Sequence, residues 1–227
     1  MAAMRFLALE TATQRLSVAL WDDGTVVERA VDQPNGGPGG SEWLLPATQA
    51  LLAEAGVGFK TLDGIAFGAG PGSFTGLRLA AGCAQGLAFG LDLPVFGVNT
   101  LEALALASGE DRVFACLDAR MNEVYVAAYA NGVVVLPPVV SPPAQVPLPA
   151  GEGWVGCGDG FASYPALLRV FARIRADLWP TAAAVARLAA PRLAGGEGLD
   201  AAAAAPLYVR DKVALTTAER LARGGTK

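Results

Sequence analysis

Two stretches decide how this chain reads: residues 4–30, MRFLALETATQRLSVALWDDGTVVERA, and residues 111–137, DRVFACLDARMNEVYVAAYANGVVVLP. Each opens on a short apolar run, crosses a polar turn and returns as a second apolar run. Each then turns again, at Asp23-Gly24 or Asn131-Gly132, into a third. Apolar runs separated by Asp-Gly or Asn-Gly pairs predict three-stranded antiparallel meanders. The two stretches superpose without a gap, Glu10 falling on Asp118, 108 residues further on. The same offset places Phe6 on Phe114, Leu9 on Leu117, Val18 on Val126, Trp21 on Tyr129 and Gly24 on Gly132. An acidic residue and a glycine in register predict an internal duplication; the alternative is two unrelated meanders that share apolar spacing.

Helical material follows each meander. In the first half, Ser41 is placed to cap a helix through EWLLPATQALLAEAG, with Gly56 as its stop. Pro46 either kinks that helix or marks its first turn, and NGGPGG (residues 35–40) is a loop before it. A strand is expected at residues 64–68, a helix up to Gly90 and a strand at 93–98. In the second half, a proline-rich crossing (136–149) precedes a strand at Trp154 and Val155. Helical segments are expected around 164–174 and 181–193, and a terminal helix carries Thr216 and Glu219 as a capping box. The resulting fold class is α/β: two similar lobes, each a mixed sheet with flanking helices. This resembles the plan of the actin-hexokinase-Hsp70 (ASKHA) superfamily. The N-terminal lobe is expected at 1–105, completed by the C-terminal helix 214–227, and the C-terminal lobe at 106–213.

Composition excludes several chemistries. The 227 residues include no histidine, which removes Ser-His-Asp and Cys-His nucleophile systems and His-ligated zinc. Charged residues make up 17%, the net charge is −4 and the pI is near 4.9, a poor balance for gripping nucleic acid unaided. The three cysteines are irregularly spaced and read as buried free thiols in a reducing compartment. The charge-free run 79–91 is too short to span a bilayer, and the run 124–151 carries six prolines. The chain reads as cytoplasmic, without a membrane partner.

The turns resemble phosphate sites from which the glycines have been removed. Within ETAT, Ala12 stands where the ASKHA phosphate turn carries glycine, and within DARM, Arg120 does. A side chain there obstructs the approach of backbone N–H groups to phosphate. Glu10 and Asp118 either bond their own turns or hold a hydrated cation. The loop GAGPGSFTGLR (68–78) fails two phosphate templates: Leu77 replaces the lysine of GxxxxGK[ST], and Thr75 replaces the last glycine of GxGxxG. Gly70, Pro71 and Gly72 make a tight turn, and Ser73 caps a helix that continues through Phe74, Thr75, Gly76 and Arg78. Along that helix Gly82, Gly86 and Gly90 recur every fourth residue beside Gly76, Ala80 and Ala84. Interior glycines at 82 and 86 cost roughly 2 kcal/mol together. A smooth face open to a close backbone neighbour explains that cost. The neighbour is either the helix around Trp43 and Leu44 or another chain.

LALETATQRLSVAL, GAGPGSFTGLR, DARMNEVYVA and PLYVRDKV together resemble the bacterial TsaB (YeaZ) family of tRNA threonylcarbamoyladenosine biosynthesis. The motifs span residues 7–213. The resemblance implies a subunit that is not itself an enzyme and binds no cofactor of its own. It implies a heterodimer with a TsaD-like transferase, which the subunit activates, and a TsaE-like ATPase in a complex that uses ATP. tRNA is then contacted indirectly, for formation of t6A at position 37. Trp43, Leu44, Arg78, Gly82, Gly86 and Gly90 are the expected partner face. Asp118, Arg120, Glu123, Arg210 and Lys212 are expected to serve assembly or activity. The isolated chain is a candidate homodimer. Many relatives carry His before the Ser-Glu of the first-lobe helix, where this chain has Gly40. The competing readings are a small ATP-dependent phosphotransferase of the ASKHA plan, which GCGDG (156–160) supports best, and a peptidase.

Overall fold

The computed structural model describes residues 4–33 and 40–209. The first meander is present as β1 (Arg5–Glu10), β2 (Arg15–Asp22) and β3 (Thr25–Asp32), all antiparallel. Asp23 and Gly24 both take positive φ, as a two-residue hairpin turn requires. Next come α1 (Gly40–Glu54), β4 (Gly64–Gly70), α2 (Phe74–Leu91), β5 (Val95–Asn99) and α3 (Thr100–Ser108). β4 lies parallel to β1, and β5 parallel to β4, giving the sheet order β3-β2-β1-β4-β5. α1 starts at Gly40, so Ser41 sits inside its first turn and does not cap it. Gly56 does stop the helix: it is left-handed, and Val57 N–H returns to Leu52 O. Pro46 lies within the second turn of α1.

The second half repeats the arrangement with β6 (Arg112–Arg120), β7 (Glu123–Ala130), β8 (Val133–Ser141), β9 (Val155–Cys157), α4 (Gly160–Ser163), β10 (Arg173–Arg175) and α5 (Ala182–Ala194). Its sheet order, β8-β7-β6-β9-β10, reproduces the first lobe strand for strand. Two expectations fail here. Pro137 and Pro138 belong to β8 and do not start a crossing. β8 is an edge strand with one neighbour and a broken register, the setting in which a sheet accepts proline. Residues 164–174 form no α-helix: α4 stops at Ser163, a 3-10 turn spans Pro165–Arg169, and Ile174 is in a strand. Tyr164, which precedes Pro165, is extended (φ −129°), as a residue before proline prefers.

The gapless superposition holds for only part of the repeat. β2 and β7 match at the expected offset, Leu20 on Ala128, but their partners are Leu7 and Phe114, which are 107 residues apart. β1 and β6 are therefore shifted by one residue. A bulge between Asp118 and Arg120 restores the register at the turn. Because side chains alternate between faces, the slip separates two residues that the sequence pairs. Glu10 points into the core, fully buried, whereas Asp118 lines the space between the lobes.

Each sheet is sandwiched, with α5 crossing to the first sheet and α3 shared between the two. Leu7, Leu9, Val18 and Leu20 face α1 and α2. Phe6, Ala8 and Ala19 face α5, which comes from the far end of the chain. Reciprocally, Leu101 and Leu104 of α3 pack on Val113, Ala115 and Leu117 of the second sheet. The division at 105/106 therefore falls inside a helix shared by both cores, Ala103 lying with α5 and Leu101 and Leu104 with the second sheet. The helix observed to complete the first lobe is α5; residues 214–227 lie outside those described.

Candidate functional site

The glycine loop is packed against the protein's own backbone. Ser73 N–H donates to Ala12 O (2.7 Å), and Thr11 Oγ1 donates to Gly76 O (2.6 Å). A Cβ on Gly72 would lie 2.6 Å from Ala12 O, and one on Gly76 only 1.9 Å from Thr11 O. These glycines admit the Thr11–Ala12 turn, and no room is left for a phosphate at that point. Ser73 caps α2, its Oγ accepting from Gly76 N–H (3.4 Å). The second lobe repeats this arrangement at GCGDG: Cβ atoms on Gly158 and Gly160 would meet Cys116 O and Sγ at 2.3 and 2.4 Å.

Between the lobes lies a cleft of about 720 Å³. Its first wall is Ala12–Gln14 with Pro71–Phe74; its second includes Asp118–Met121, Asp159 and Trp179. Asp118 is heavily committed. Oδ1 accepts Arg120 N–H (2.8 Å) and Tyr164 O–H (3.1 Å), and Oδ2 pairs with Arg120 Nη1 (3.0 Å). Asp118 N–H donates to Asp159 Oδ1 (3.0 Å). Burial, and then the nearby Asp118 charge, raise the Asp159 carboxyl above its ordinary value. Arg120, Met121 and Asn122 all have positive φ, an expensive run for residues with side chains. The Arg120 side chain is 86% exposed, so this pair adds little to stability. Arg120→Ala should therefore move the melting temperature by no more than about 2–4 °C, the shift that roughly 1 kcal/mol gives in a domain of this size. A thermal melt checks it.

α2 carries two rows of small residues. Gly76, Ala80, Ala84 and Ala88 form one, turned inward against the lobe's core, with all three alanines fully buried. Gly82, Gly86 and Gly90 form the other on the outer face, in line with Phe74 and Arg78 at the same four-residue spacing. A Cβ on Gly82, Gly86 or Gly90 would meet nothing within 4 Å. The helix around Trp43 therefore does not cover this row; α1 meets α2 elsewhere, Leu79 lying against Gly40. Phe89, 80% exposed beside Gly86, was not singled out from sequence; an aromatic three residues from a glycine row is its only sequence signal. Arg78 lies over the Phe74 ring (3.8 Å) and donates from Nε to Tyr208 Oη (3.3 Å). Leu207 N–H bonds Ala69 O (2.6 Å), which ties the 205–209 segment to the same corner.

Other expected site residues fare differently. Leu44 is fully buried beneath α1 and offers no surface to a partner, which corrects its assignment to the interface. Trp43 is half-buried in a groove with Arg29 and Glu42, toward β3. Thr75 is exposed in the first turn of α2, and Glu123 stands opposite Arg120 in the β6–β7 register. Arg210 and Lys212 lie outside the described residues. Burial raises the thiols of Cys116 and Cys157, the latter to about 11, so neither is a ready nucleophile.

A duplicated meander and parallel strands beyond it define a two-lobed protein with an ASKHA-type fold, its Thr11–Ala12 turn packed against its own glycine loop. A family profile described as TsaD, tRNA N6-adenosine threonylcarbamoyltransferase, matches residues 39–145. The tRNA threonylcarbamoyladenosine biosynthesis protein TsaB of Escherichia coli K12 is 38% identical, over 93% of this chain and 96% of that one. TsaB of Haemophilus influenzae is 44% identical over 54% of this chain and 52% of its own length. The solved structure of YeaZ from Pseudomonas aeruginosa superposes with a TM-score of 0.81 at 38% identity, covering 90% of this chain and 99% of that one. A further Pseudomonas aeruginosa structure, described by its similarity to peptidase YeaZ, gives 0.82 at 39%, over 91% and 100%. The chain belongs to the TsaB (YeaZ) family.

Proposed function

We propose that this chain is the non-catalytic subunit that pairs with, and activates, a TsaD-like transferase in the formation of tRNA threonylcarbamoyladenosine. The observation that carries this reading is the outer row of α2. Gly82, Gly86 and Gly90 are bare and uncovered, with Phe89 exposed beside them. Glycines that weaken a helix and touch nothing in their own chain are explained by a neighbour that needs close approach. The relatives named TsaB supply the pathway. The partners on this reading are the TsaD-like transferase and a TsaE-like ATPase. ATP is consumed by the complex, and tRNA is held mainly by the other subunits of a cytoplasmic assembly. No helix among the described residues is long and apolar enough to cross a membrane.

The phosphotransferase alternative needs a nucleotide turn, and the amides best placed to make one are engaged. Ser73 N–H serves Ala12, while Gly76 and Leu77 N–H serve Ser73. The peptidase alternative lacks any histidine, and the described thiols are partly or fully buried.

The decisive experiment reconstitutes the pathway with a TsaD-like and a TsaE-like protein, the enzyme that makes threonylcarbamoyl-AMP, ATP, threonine, bicarbonate and tRNA. Omitting this chain should abolish modified nucleoside, and this chain should yield none when it replaces the TsaD-like protein. Undiminished product on omission refutes the reading.

A further inference from the structure

Glu10 is the one fully buried acidic side chain among the described residues, and it lies between the Thr11–Ala12 turn and the start of α3. Oε1 accepts Ala12 N–H (2.7 Å), and Oε2 faces Thr100 Oγ1 (3.5 Å) at the start of α3. Thr100 Oγ1 in turn accepts Gly70 N–H (3.1 Å). A Cβ on Gly68 would stand 2.1 Å from Oε2, so the glycine there makes room for the carboxylate. Its neighbours are Thr11 and Ala12 of the turn, Ser17 opposite on β2, Gly68 of β4 and Thr100 of α3, none of them charged. Burial and hydrogen bonds, with no charged partner among these neighbours, set its proton affinity. Burial, opposed only by hydrogen bonds from Ala12, Thr11 and Thr100, pushes it up to about 7.

We propose that Glu10 is a proton-operated pin between the Thr11–Ala12 turn and the start of α3, holding the turn and Thr100 as a carboxylate and releasing the turn when neutral. The path onward is short. Ala12 O takes Ser73 N–H and Thr11 Oγ1 bonds Gly76 O, so the turn supports the glycine loop and the first turn of α2. On protonation by solvent, the new O–H on Oε2 donates to Thr100 Oγ1, reversing that bond, and Oε1 becomes a weaker, uncharged acceptor for Ala12 N–H. The pin does not depend on which partner α2 binds.

The effect on stability runs opposite to that of a salt-bridged carboxylate. The folded-state value lies above the ordinary 4.5, so the fold binds the proton more tightly than the unfolded chain does. Glu10 therefore lowers stability as pH rises from about 4.5 through 7, and contributes a constant deficit above that.

The test is an amide-resolved NMR titration of the whole chain from about pH 5 to pH 9, on the wild type, Glu10→Gln and Thr100→Val. In the wild type, the Ala12, Gly70, Ser73 and Gly76 amides should move on one curve with a midpoint near 7, and protection at Ser73 and Gly76 should fall on the acid side. In Glu10→Gln the same amides should stay still. Thr100→Val, which keeps the shape and removes the donor, should raise the midpoint. Wild-type amides that do not move, a Glu10→Gln curve like the wild type's, or an unmoved Thr100→Val midpoint would each overturn the pin. Should Glu10→Gln fail to fold, the other two titrations still decide.

Discussion

Gly76→Ala should destabilise this protein by about 3 kcal/mol or more, although helix propensity alone favours the change by about 1 kcal/mol. The new Cβ would stand 1.9 Å from Thr11 O, a backbone atom that cannot rotate away. The turn must therefore retreat, which strains two bonds: Thr11 Oγ1 to Gly76 O and Ser73 N–H to Ala12 O. At about 2–4 °C per kcal/mol the melting temperature should fall by roughly 6–12 °C. Gly82→Ala is the internal control. It lies six residues along the same helix with nothing within 4 Å of its Cβ, and it should gain about 1 kcal/mol. Thermal or urea melts of the two variants test the assignment. Equal shifts of the same sign would mean that the glycine loop does not rest on the Thr11–Ala12 turn.

Gly86→Leu should have the opposite profile, leaving the fold intact and damaging assembly. Its Cβ enters open space in the single chain, so the melting temperature should hold or rise slightly. If the outer row of α2 is the seam with a TsaD-like partner, four added carbon atoms fall into a close helix contact. Overpacking of that kind costs about 1–3 kcal/mol, which weakens association by roughly 5- to 150-fold. Product formation in the reconstituted pathway should fall in parallel at limiting subunit concentration. Phe89→Ala, which removes an exposed aromatic from the same face, should weaken association by a comparable amount without overpacking. A Gly86→Leu protein that still binds the partner at wild-type strength would move the seam elsewhere.

Much of the fold was legible because it is written locally. The Asp23-Gly24 and Asn131-Gly132 turns, the apolar runs of β2 and β7 and the Ser73 cap each depend on a few adjacent residues. The misreadings arose where distant chain decides. Residues 164–174 looked helical, but Pro165 ends α4 and Ile174 pairs with Gly156 in the sheet. Leu44 stood beside Trp43 in a plausible surface pair, yet it faces inward on α1. The match of Glu10 with Asp118 was a true sequence register and a false spatial one, because a single bulge turned one side chain to the core and the other to the cleft.

The sequence by itself determined that this is a duplicated α/β chain, that no histidine chemistry operates in it, and that α2 carries too many glycines for a helix serving only itself. Turn residues, strand alternation and helix propensity act within a few positions and need no knowledge of the rest of the chain. Only the tertiary structure decided what lies beside those glycines. Gly76 and Gly72 lie against the Thr11–Ala12 backbone, while Gly82, Gly86 and Gly90 face outward. It also decided that α5 covers the first sheet, that α3 packs on both cores and that Glu10 is sealed beneath the Thr11–Ala12 turn. The physical reason is common to all three. A glycine or a buried carboxylate is defined by what occupies the few ångströms beside it, and here those atoms come from residues tens of positions away or more.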